Sequence, residues 1–186
     1  RSSPYLEDIH VFLCVWKRVH LLWNTLTSIT KMQTTKRNVV VHLWNNNPEK
    51  RDEIDKIVSS IPGKIEVVHS DVNLYSYARF LHIRQAMNNY HIDFAIIIDD
   101  DEAFGKHYIE RLYSERRPKV YRSWWGRVFN GGKYFEGDPP PQALNMGKRI
   151  DIKQFDYAGP GGCIIDTGIF SMKATYMIPL KFIRLD

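Results

Sequence analysis

Apolar residues in this chain occur in short runs that are separated by segments with helical spacing. Runs of this kind predict strands, and the last run is apolar throughout, which is typical of a strand buried on both faces. The predicted strands cover Ile9 to Trp16, Asn38 to Trp44, Ile65 to His69 and Phe94 to Ile98.

Helices are predicted between these strands. Apolar residues from Leu22 to Ile29 repeat at helical spacing. Asn47 and Pro48 form a cap and first-turn pair that opens a second helix, and a third helix is predicted from Ser76 to about Tyr90. The resulting β-α-β-α-β-α-β order, with short connections, predicts an α/β domain whose mostly parallel sheet is flanked by helices.

The length of 186 residues suits a single domain. The pattern changes after Pro118, because Lys119 to Phe129 is aromatic and basic, and Asn130 to Arg149 is rich in glycine and proline. A loop of that length in a compact domain is often a lid or a binding loop. We therefore expect one domain whose second half, residues 119–186, faces the substrate.

Composition excludes several classes of protein. Hydrophobic residues make up 44% and charged residues 25%, which fits a folded globular domain and not a disordered chain. No apolar run approaches the roughly 20 residues of a membrane-spanning helix, and the first residues show no apolar signal core. A net charge of +5 suits a small polyanion such as a nucleotide better than a nucleic-acid backbone. We expect no transmembrane segment and no nucleic-acid partner.

The two cysteines, Cys14 and Cys163, lie in apolar runs far apart in the chain. We expect buried free thiols, with a disulfide as the alternative. Free thiols and the absence of an Asn-x-Ser/Thr sequon favour a reducing, cytoplasmic compartment.

Four consecutive acids, Asp99-Asp100-Asp101-Glu102, follow the fourth predicted strand. Ligands of open α/β sheets bind outside the carboxyl ends of the strands, where these acids fall. In an extended chain residues i and i+2 point the same way, so Asp99 and Asp101 are expected to hold one Mn²⁺ or Mg²⁺ together with substrate phosphates, while Asp100 points elsewhere. The alternative is that the acids cap the next helix and face water.

Basic side chains are expected to hold the phosphates, since no glycine-rich phosphate loop follows any predicted strand. The first strand ends in Trp16-Lys17-Arg18, and Arg79 lies in the third predicted helix. Arginine pairs bidentately with phosphate oxygens, which favours binding by a metal ion and cationic side chains. Solvated helix-start residues at Lys17 and Arg18, and a surface ion pair at Arg79, are the alternatives.

Trp124 and Trp125 are expected to present an aromatic stacking surface. Adjacent residues of a strand face opposite sides, so one indole is expected in the core and the other is free to stack on a sugar. The alternative places both indoles in the core.

Five segments near the ends of predicted strands form an ordered set. They are Trp16-Lys17-Arg18, Leu43-Trp44-Asn45-Asn46, Asn73 to Arg79, Asp99-Asp100-Asp101 and Ala158 to Asp166. This set resembles the metal-dependent nucleotide-sugar glycosyltransferases of the GT-A fold, of the bacterial or large-DNA-virus type, whose metal motif is Asp-x-Asp at the end of a central strand. The resemblance implies a single GT-A-like domain, in which residues 1–118 bind the nucleotide and residues 119–186 meet the donor sugar and the acceptor.

The resemblance also implies roles for individual residues, and within it the stacking surface at Trp124 and Trp125 is the expected acceptor platform. Asn45 or Asn46 would read the uracil edge, although asparagine also favours plain turns. Gly161 and Gly162 would line the donor sugar, or form only a tight turn, and Tyr75 stands where the family has a glycine. The residues expected to contact the nucleotide are Trp16, Lys17, Arg18, Asn45, Asn46, Asn73, Arg79, Asp99 and Asp100.

An inverting transferase needs a general base within hydrogen-bond reach of the acceptor hydroxyl. Asp166 is the candidate, with a helix N-cap as its alternative role. Asp186, or a residue beyond it, is a second candidate for the base.

The expected activity is transfer of a hexose from a nucleotide diphosphate sugar, with UDP as the expected nucleotide, to a hydroxyl on a glycan or glycoprotein. One alternative is a nucleotidyltransferase that forms sugar nucleotides, which usually carries a glycine-rich basic loop after the first strand. The other is a non-catalytic module that binds a nucleotide or a sugar.

Overall fold

The structure is a computed structural model that describes residues 7–123, 126–127, 157–158 and 161–171. Its helices are α1 (Val19–Thr30), α2 (Arg51–Ser59), α3 (Ala78–Ala86) and α4 (Tyr108–Ser114). Its strands are β1 (Ile9–Val15), β2 (Val39–Asn45), β3 (Lys64–His69), β4 (Phe94–Ile97), β5 (Arg122–Ser123), β6 (Gly126–Arg127), β7 (Tyr157–Ala158) and β8 (Cys163–Asp166).

The main sheet has six strands in the order β3-β2-β1-β4-β8-β5. Strands β1 to β4 are parallel, whereas β8 runs antiparallel to both β4 and β5. Strands β6 and β7 form a separate antiparallel pair. The predicted α/β class, with a mostly parallel sheet flanked by helices, is confirmed.

The predicted elements are close to the observed ones. Each of the four predicted strands agrees with the structure to within one residue at either end. The side chain of Asn47 accepts a hydrogen bond from the backbone N–H of Glu49, so it caps a short 3₁₀ turn that leads into α2. The third helix is shorter than expected, because it begins at Ala78 and ends at Ala86 instead of near Tyr90.

The two faces of the sheet carry different cores. On one face, aliphatic residues of β1 such as Val11 and Leu13 pack with α1, α2 and α4. Leu22 and Leu26 of α1 are fully buried there, and burial of such side chains contributes about 1.5–3 kcal/mol each. Helix α1 has no side-chain cap at its first turn, so this packing holds it in place. The opposite face is covered by α3 and contains aromatic and histidine side chains.

The order of the strands reverses between β1 and β4. From β1 the chain proceeds to β2 and β3 on one side, and it then returns to place β4 on the other side of β1. Open α/β sheets bind ligands in the crevice at the carboxyl ends of the two strands where this reversal occurs. The segments after Val15 and after Ile97 therefore border the expected ligand crevice.

Both cysteines are buried free thiols, as the sequence predicts. Across the described part of the chain, no helix has both the length and the apolar character that crossing a bilayer requires.

Candidate functional site

Arg18 joins the end of β1 to the acidic run that follows β4. Its guanidinium donates to Asp100 Oδ1 at 2.7 Å and to Asp101 Oδ2 at 2.6 Å, and the Arg18 side chain is half exposed. The Thr25 hydroxyl of α1 donates to the backbone carbonyl of Asp100 at 3.0 Å. The acidic run is thus held by Arg18, just before α1, and by Thr25, in the second turn of α1, at the crevice between β1 and β4.

Arg79 of α3 pairs with Asp99, the first acid of the run. Its Nη2 lies 2.5 Å from Asp99 Oδ1, and each side chain is 21% exposed. The Nε of Arg79 also donates to the sulfur of Cys14 at 3.4 Å. Burial alone would lower the pKa of Arg79, but Cys14 and Asp99 outweigh burial and raise it, so the guanidinium stays charged.

The strand ends at Ile97, and Asp100 and Asp101 lie in a turn. The alternation of an extended chain therefore does not set the directions of these carboxylates. Arg18 contacts the neighbouring pair Asp100 and Asp101, while Asp99 faces Arg79. Among the residues that the structure describes, no three His, Cys, Asp or Glu side chains are arranged to hold a metal ion, so the metal site at Asp99 and Asp101 stays a prediction.

Glu102 completes the acidic run as a partly buried carboxyl group. Burial, followed by the charges of Asp99 and Asp101, raises the pKa of Glu102 to about 7. Its Oε2 atom is buried and has no hydrogen-bond partner. Burial also raises the pKa of Asp100, against the opposing attraction of Arg18. This end of the sheet holds more negative charge than its two arginines compensate.

Asn45 and Asn46 make internal hydrogen bonds with their side-chain amides. Asn45 accepts from the backbone N–H of Asn47 at 2.8 Å, and its Nδ2 lies 3.0 Å from the ring nitrogen Nδ1 of His69. Asn46 donates to the carbonyl of Tyr75 and accepts from the N–H of Leu74, both at 3.0 Å. Both asparagines are buried. Asn46 therefore positions the loop that precedes α3, whereas Asn45 links the residues after β2 to the end of β3. A contact of either side chain with uracil stays a prediction.

The loop before α3 presents an aromatic corner, which we define as Trp16 and Tyr75. Tyr75 has a φ of 51°, a conformation that favours glycine. The loop is held by Asn46 and by Asn73, whose side chain accepts from the N–H of Tyr75 at 2.8 Å. The ring of Tyr75 meets the indole of Trp16 edge to face at 6.4 Å, and Trp16 is 41% exposed. Lys17 Nζ lies 4.1 Å from the centroid of that indole. An exposed aromatic surface beside a cation therefore borders the crevice.

Gly161 and Gly162 lie near the carboxyl end of β4, since Cys163 pairs with Ile97. Both glycines have a positive φ. A Cβ on Gly162 would lie 1.6 Å from the hydroxyl oxygen of Tyr108, and that hydroxyl donates to the carbonyl of Gly161 at 2.8 Å. The packing of Tyr108 thus accounts for the absence of a side chain at Gly162.

Asp166 does not lie with the acidic run. Strand β8 is antiparallel to β4, so Asp166 pairs with Phe94 at the amino end of β4, roughly 10 Å from the end of that strand at Ile97. Its carboxylate accepts from the backbone N–H of Lys119 at 2.6 Å and of Gly168 at 2.8 Å. In the structure Asp166 therefore caps the turn Thr167–Ser171, which is the alternative role that the sequence offers, and its role as a general base stays a prediction.

Trp124, Trp125, Asp186 and residues 130–149 lie outside the described residues. Two participants were not identified from the sequence. Cys14 contacts Arg79 because it lies on the face of β1 that α3 covers, and the alternation of β1 was the signal for this side. Tyr75 was noted only as a replacement for glycine, and no local signal marks its contact with Trp16.

No protein-family model matches the chain, and a search of curated proteins finds no match. Among solved structures, the chain is similar to the mannosyltransferase PcManGT from Pyrobaculum calidifontis in complex with GDP-Man and Mn²⁺, at 12% identity and a TM-score of 0.43, over 56% of this chain and 32% of that one. It is also similar to S. aureus TarS 1-349 in complex with UDP, at 13% identity and a TM-score of 0.46, over 59% and 31% of the two chains.

The chain thus spans about a third of the length of the solved structures it matches. Identities and TM-scores at this level carry no argument about activity, so the function is inferred from the site itself.

Proposed function

We propose that this chain is a metal-dependent glycosyltransferase domain that takes a nucleotide diphosphate sugar, with UDP as the nucleotide, and transfers the hexose to a hydroxyl acceptor. Residues 1–118 would bind the nucleotide, and residues 119–186 would meet the donor sugar and a glycan or glycoprotein acceptor.

One observation carries the proposal: the basic and the acidic side chains of the site both lie where the strand order reverses. Arg18 follows β1, and the acids from Asp99 to Glu102 follow β4. Parallel sheets bind ligands in this crevice. A site with both carboxylates and guanidiniums matches a ligand that brings a divalent cation together with a polyanion, as a nucleotide diphosphate does.

The residues fit a divalent ion by their chemistry. Asp99 and Asp101 offer carboxylate oxygens, the donors that Mg²⁺ and Mn²⁺ prefer in proteins. The buried Oε2 of Glu102 has no hydrogen-bond partner beside them. A divalent cation at this place would offset the charge repulsion that raises the pKa of Glu102. When bound, such an ion supplies neutralisation of the charge that develops on the leaving diphosphate.

The two arginines would exchange partners when the ligand binds. Arg18 and Arg79 now pair with the carboxylates. We propose that both guanidiniums turn towards phosphate oxygens, for which their planar donor geometry is well matched. Lys17, next to Arg18, would contribute a further positive charge.

The aromatic corner, Trp16 and Tyr75, would take the planar base. Aromatic side chains stack on nucleobases with a contribution of about 1–3 kcal/mol per base. The corner borders the same crevice through two links: Trp16 adjoins Lys17 and Arg18, and the carbonyl of Tyr75 lies 3.9 Å from the sulfur of Cys14, which Arg79 contacts. The base and the diphosphate would therefore bind side by side.

A donor-hydrolysis screen tests the proposal. The protein is incubated with UDP- and GDP-linked sugars in Mn²⁺ or Mg²⁺, and release of the nucleotide is followed. We expect slow, metal-dependent hydrolysis of at least one donor and its loss in Asp101→Ala. Asp71→Ala is the matched control, because Asp71 is an exposed acid whose ion pair is with Arg51.

Each alternative has its own test, made on the same protein with other substrates or by a binding measurement. Formation of a nucleotide sugar from a nucleoside triphosphate and a sugar phosphate would favour the nucleotidyltransferase. Metal-independent binding of a nucleotide or sugar with no turnover of any donor would favour a non-catalytic module.

A further inference from the structure

Three histidines are buried together beneath α3, and we call them the histidine cluster: His10 of β1, His42 of β2 and His82 of α3. Their exposed fractions are 3%, 0% and 4%. Histidine is usually only partly buried, and its charge changes between pH 5 and 8. No residue of the candidate site lies in this cluster, so its composition calls for a separate explanation.

Hydrogen bonds satisfy only part of the ring nitrogens in the histidine cluster. His10 Nδ1 lies 2.9 Å from His42 Nε2, so one of these two nitrogens donates and the other accepts. The ring of His82 meets the ring of His42 edge to face at 5.4 Å, and Phe12 stacks on His42 at 4.3 Å. The Nδ1 atoms of His42 and His82 are both buried without a hydrogen-bond partner. Additional protons would place like charges close together in apolar surroundings.

The cluster is connected to the surface at one edge. The Glu66 carboxylate of β3 lies 3.5 Å from His42 Nδ1, and the Glu66 side chain is 39% exposed. The Tyr90 hydroxyl donates to Glu66, and Lys64 Nζ lies 3.9 Å from it. Asp8, ahead of β1, attracts a proton to His10, whereas Lys64 opposes one. A partly exposed carboxylate therefore lies beside the buried ring of His42.

Helix α3 connects the cluster to the candidate site. His82 lies three residues after Arg79, so the two side chains leave the helix on neighbouring positions of one face. The helix has nine residues and no side-chain cap at its start, so its place depends on packing against β1 and β2. The packing of α3 therefore also sets the position of Arg79 relative to Asp99.

We propose that the histidine cluster is an acid-sensitive latch: protonation of its imidazoles releases α3 from the sheet, and the release withdraws Arg79 from Asp99. The consequence for nucleotide binding rests on the proposed function, because it assumes that Arg79 meets the phosphates. Release of the helix does not depend on that assumption.

The direction of the pH effect follows from linkage. Burial, first of all, lowers the pKa of His42 to about 3 and that of His82 to about 4, and it lowers the pKa of His10 as well. When α3 is released and the strands beneath it are exposed, the pKa of each histidine returns to about 6.5. The released state therefore binds more protons, so the latch is fully closed above about pH 6.5 and loses stability as the pH falls towards 4.

Hydrogen exchange of the wild-type chain between pH 7.5 and 4.5, corrected for intrinsic rates, tests the latch. We expect amides of α3 to lose protection at a pH where amides of α1 keep theirs, and histidine NMR signals to shift over the same interval. The pH at which α3 loses half of its protection is the midpoint. His82→Leu should lower this midpoint by roughly half a pH unit or more, because the released state then takes up one proton fewer. His91→Gln is the control, since the His91 side chain is 88% exposed and should leave the midpoint unchanged.

The latch is wrong if α1 and α3 lose protection together, if α3 keeps its protection at pH 4.5, or if His91→Gln shifts the midpoint as much as His82→Leu does. His10→Gln supplies the same comparison should His82→Leu fail to fold. UDP binding with Mn²⁺ at pH 7.5 is measured separately. Absence of that binding contradicts the proposed function and leaves the exchange result to decide the latch.

Discussion

The guanidinium of Arg79 lies 2.5 Å from the carboxylate of Asp99, and this ion pair ties α3 to the end of β4. Both side chains are mostly buried, so each needs the other to offset the loss of solvation. The ion pair therefore stabilises the fold when no ligand is bound. It also places a guanidinium at the crevice, where a phosphate is able to bind it.

We expect Arg79→Ala to lower the free energy of unfolding by about 2 kcal/mol, because it leaves the Asp99 carboxylate without its charged partner. Urea denaturation measures the change. Arg51→Ala is the matched control: Arg51 pairs with the exposed Asp71, and its loss should change stability by no more than about 0.5 kcal/mol. Equal effects of the two variants would contradict the structural role assigned to Arg79.

We expect Gly162→Ala to destabilise the protein by about 2 kcal/mol or more, since the new methyl group would collide with Tyr108 and the backbone has a φ of 88°. Gly105→Ala is the control, because a Cβ there has no neighbour within 4 Å. Thermal unfolding of the two variants measures the difference. Tyr108→Leu should partly restore Gly162→Ala, and a lack of any restoration would argue against Tyr108 as the cause.

We expect Tyr75→Ala to weaken UDP binding roughly 5- to 100-fold through the loss of base stacking, with binding of pyrophosphate unchanged. Tyr75→Phe, which keeps the ring, should bind UDP as the wild type does. Tyr75→Gly should bind UDP as weakly as Tyr75→Ala and yet be more stable than Tyr75→Ala by a few tenths to about 1 kcal/mol, because glycine accepts the positive φ. If Tyr75→Ala lost equal affinity for UDP and for pyrophosphate, the assignment of the base to the aromatic corner would be wrong. Calorimetry with both ligands makes this comparison.

We expect Asn46→Ala to lower stability by about 1–3 kcal/mol, since the carbonyl of Tyr75 and the N–H of Leu74 lose the side chain that pairs with them. The same change should weaken UDP binding, because it frees the loop that holds Tyr75. Asn38→Ala is the comparison, as Asn38 is exposed ahead of β2, at the opposite end of the sheet, and donates to Asp8. A stable Asn46→Ala variant with a normal affinity for UDP would show that the loop keeps its conformation without the hydrogen bonds of Asn46.

The sequence predicts the parallel part of the fold well because each element there carries a local signal. The four apolar runs and the Asn47–Pro48 cap specify β1 to β4 and the start of α2 without knowledge of distant contacts. No local signal in the sequence predicts in which direction strand β8 runs. Its antiparallel pairing with β4 depends on tertiary packing, and this pairing places Asp166 at the opposite end of the sheet from Asp99.

The candidate site was predictable in its position and not in its contacts. The acids and Arg18 meet because topology alone brings the ends of β1 and β4 together. The amide of Asn46, in contrast, is paired with a loop about 28 residues further along the chain, and no pattern near Asn46 reveals that partner. The positive φ of Tyr75 is likewise set by those distant bonds.

Titration of UDP into the wild-type protein, with and without Mn²⁺, tests most directly the claim that the crevice between β1 and β4 binds a nucleotide diphosphate with a divalent ion. We expect one UDP to bind per chain in Mn²⁺, and the affinity to fall at least tenfold when the metal is chelated or when Asp99 and Asp101 are both changed to Asn. UDP binding of equal strength in all three conditions, or no UDP binding in Mn²⁺, would contradict the claim.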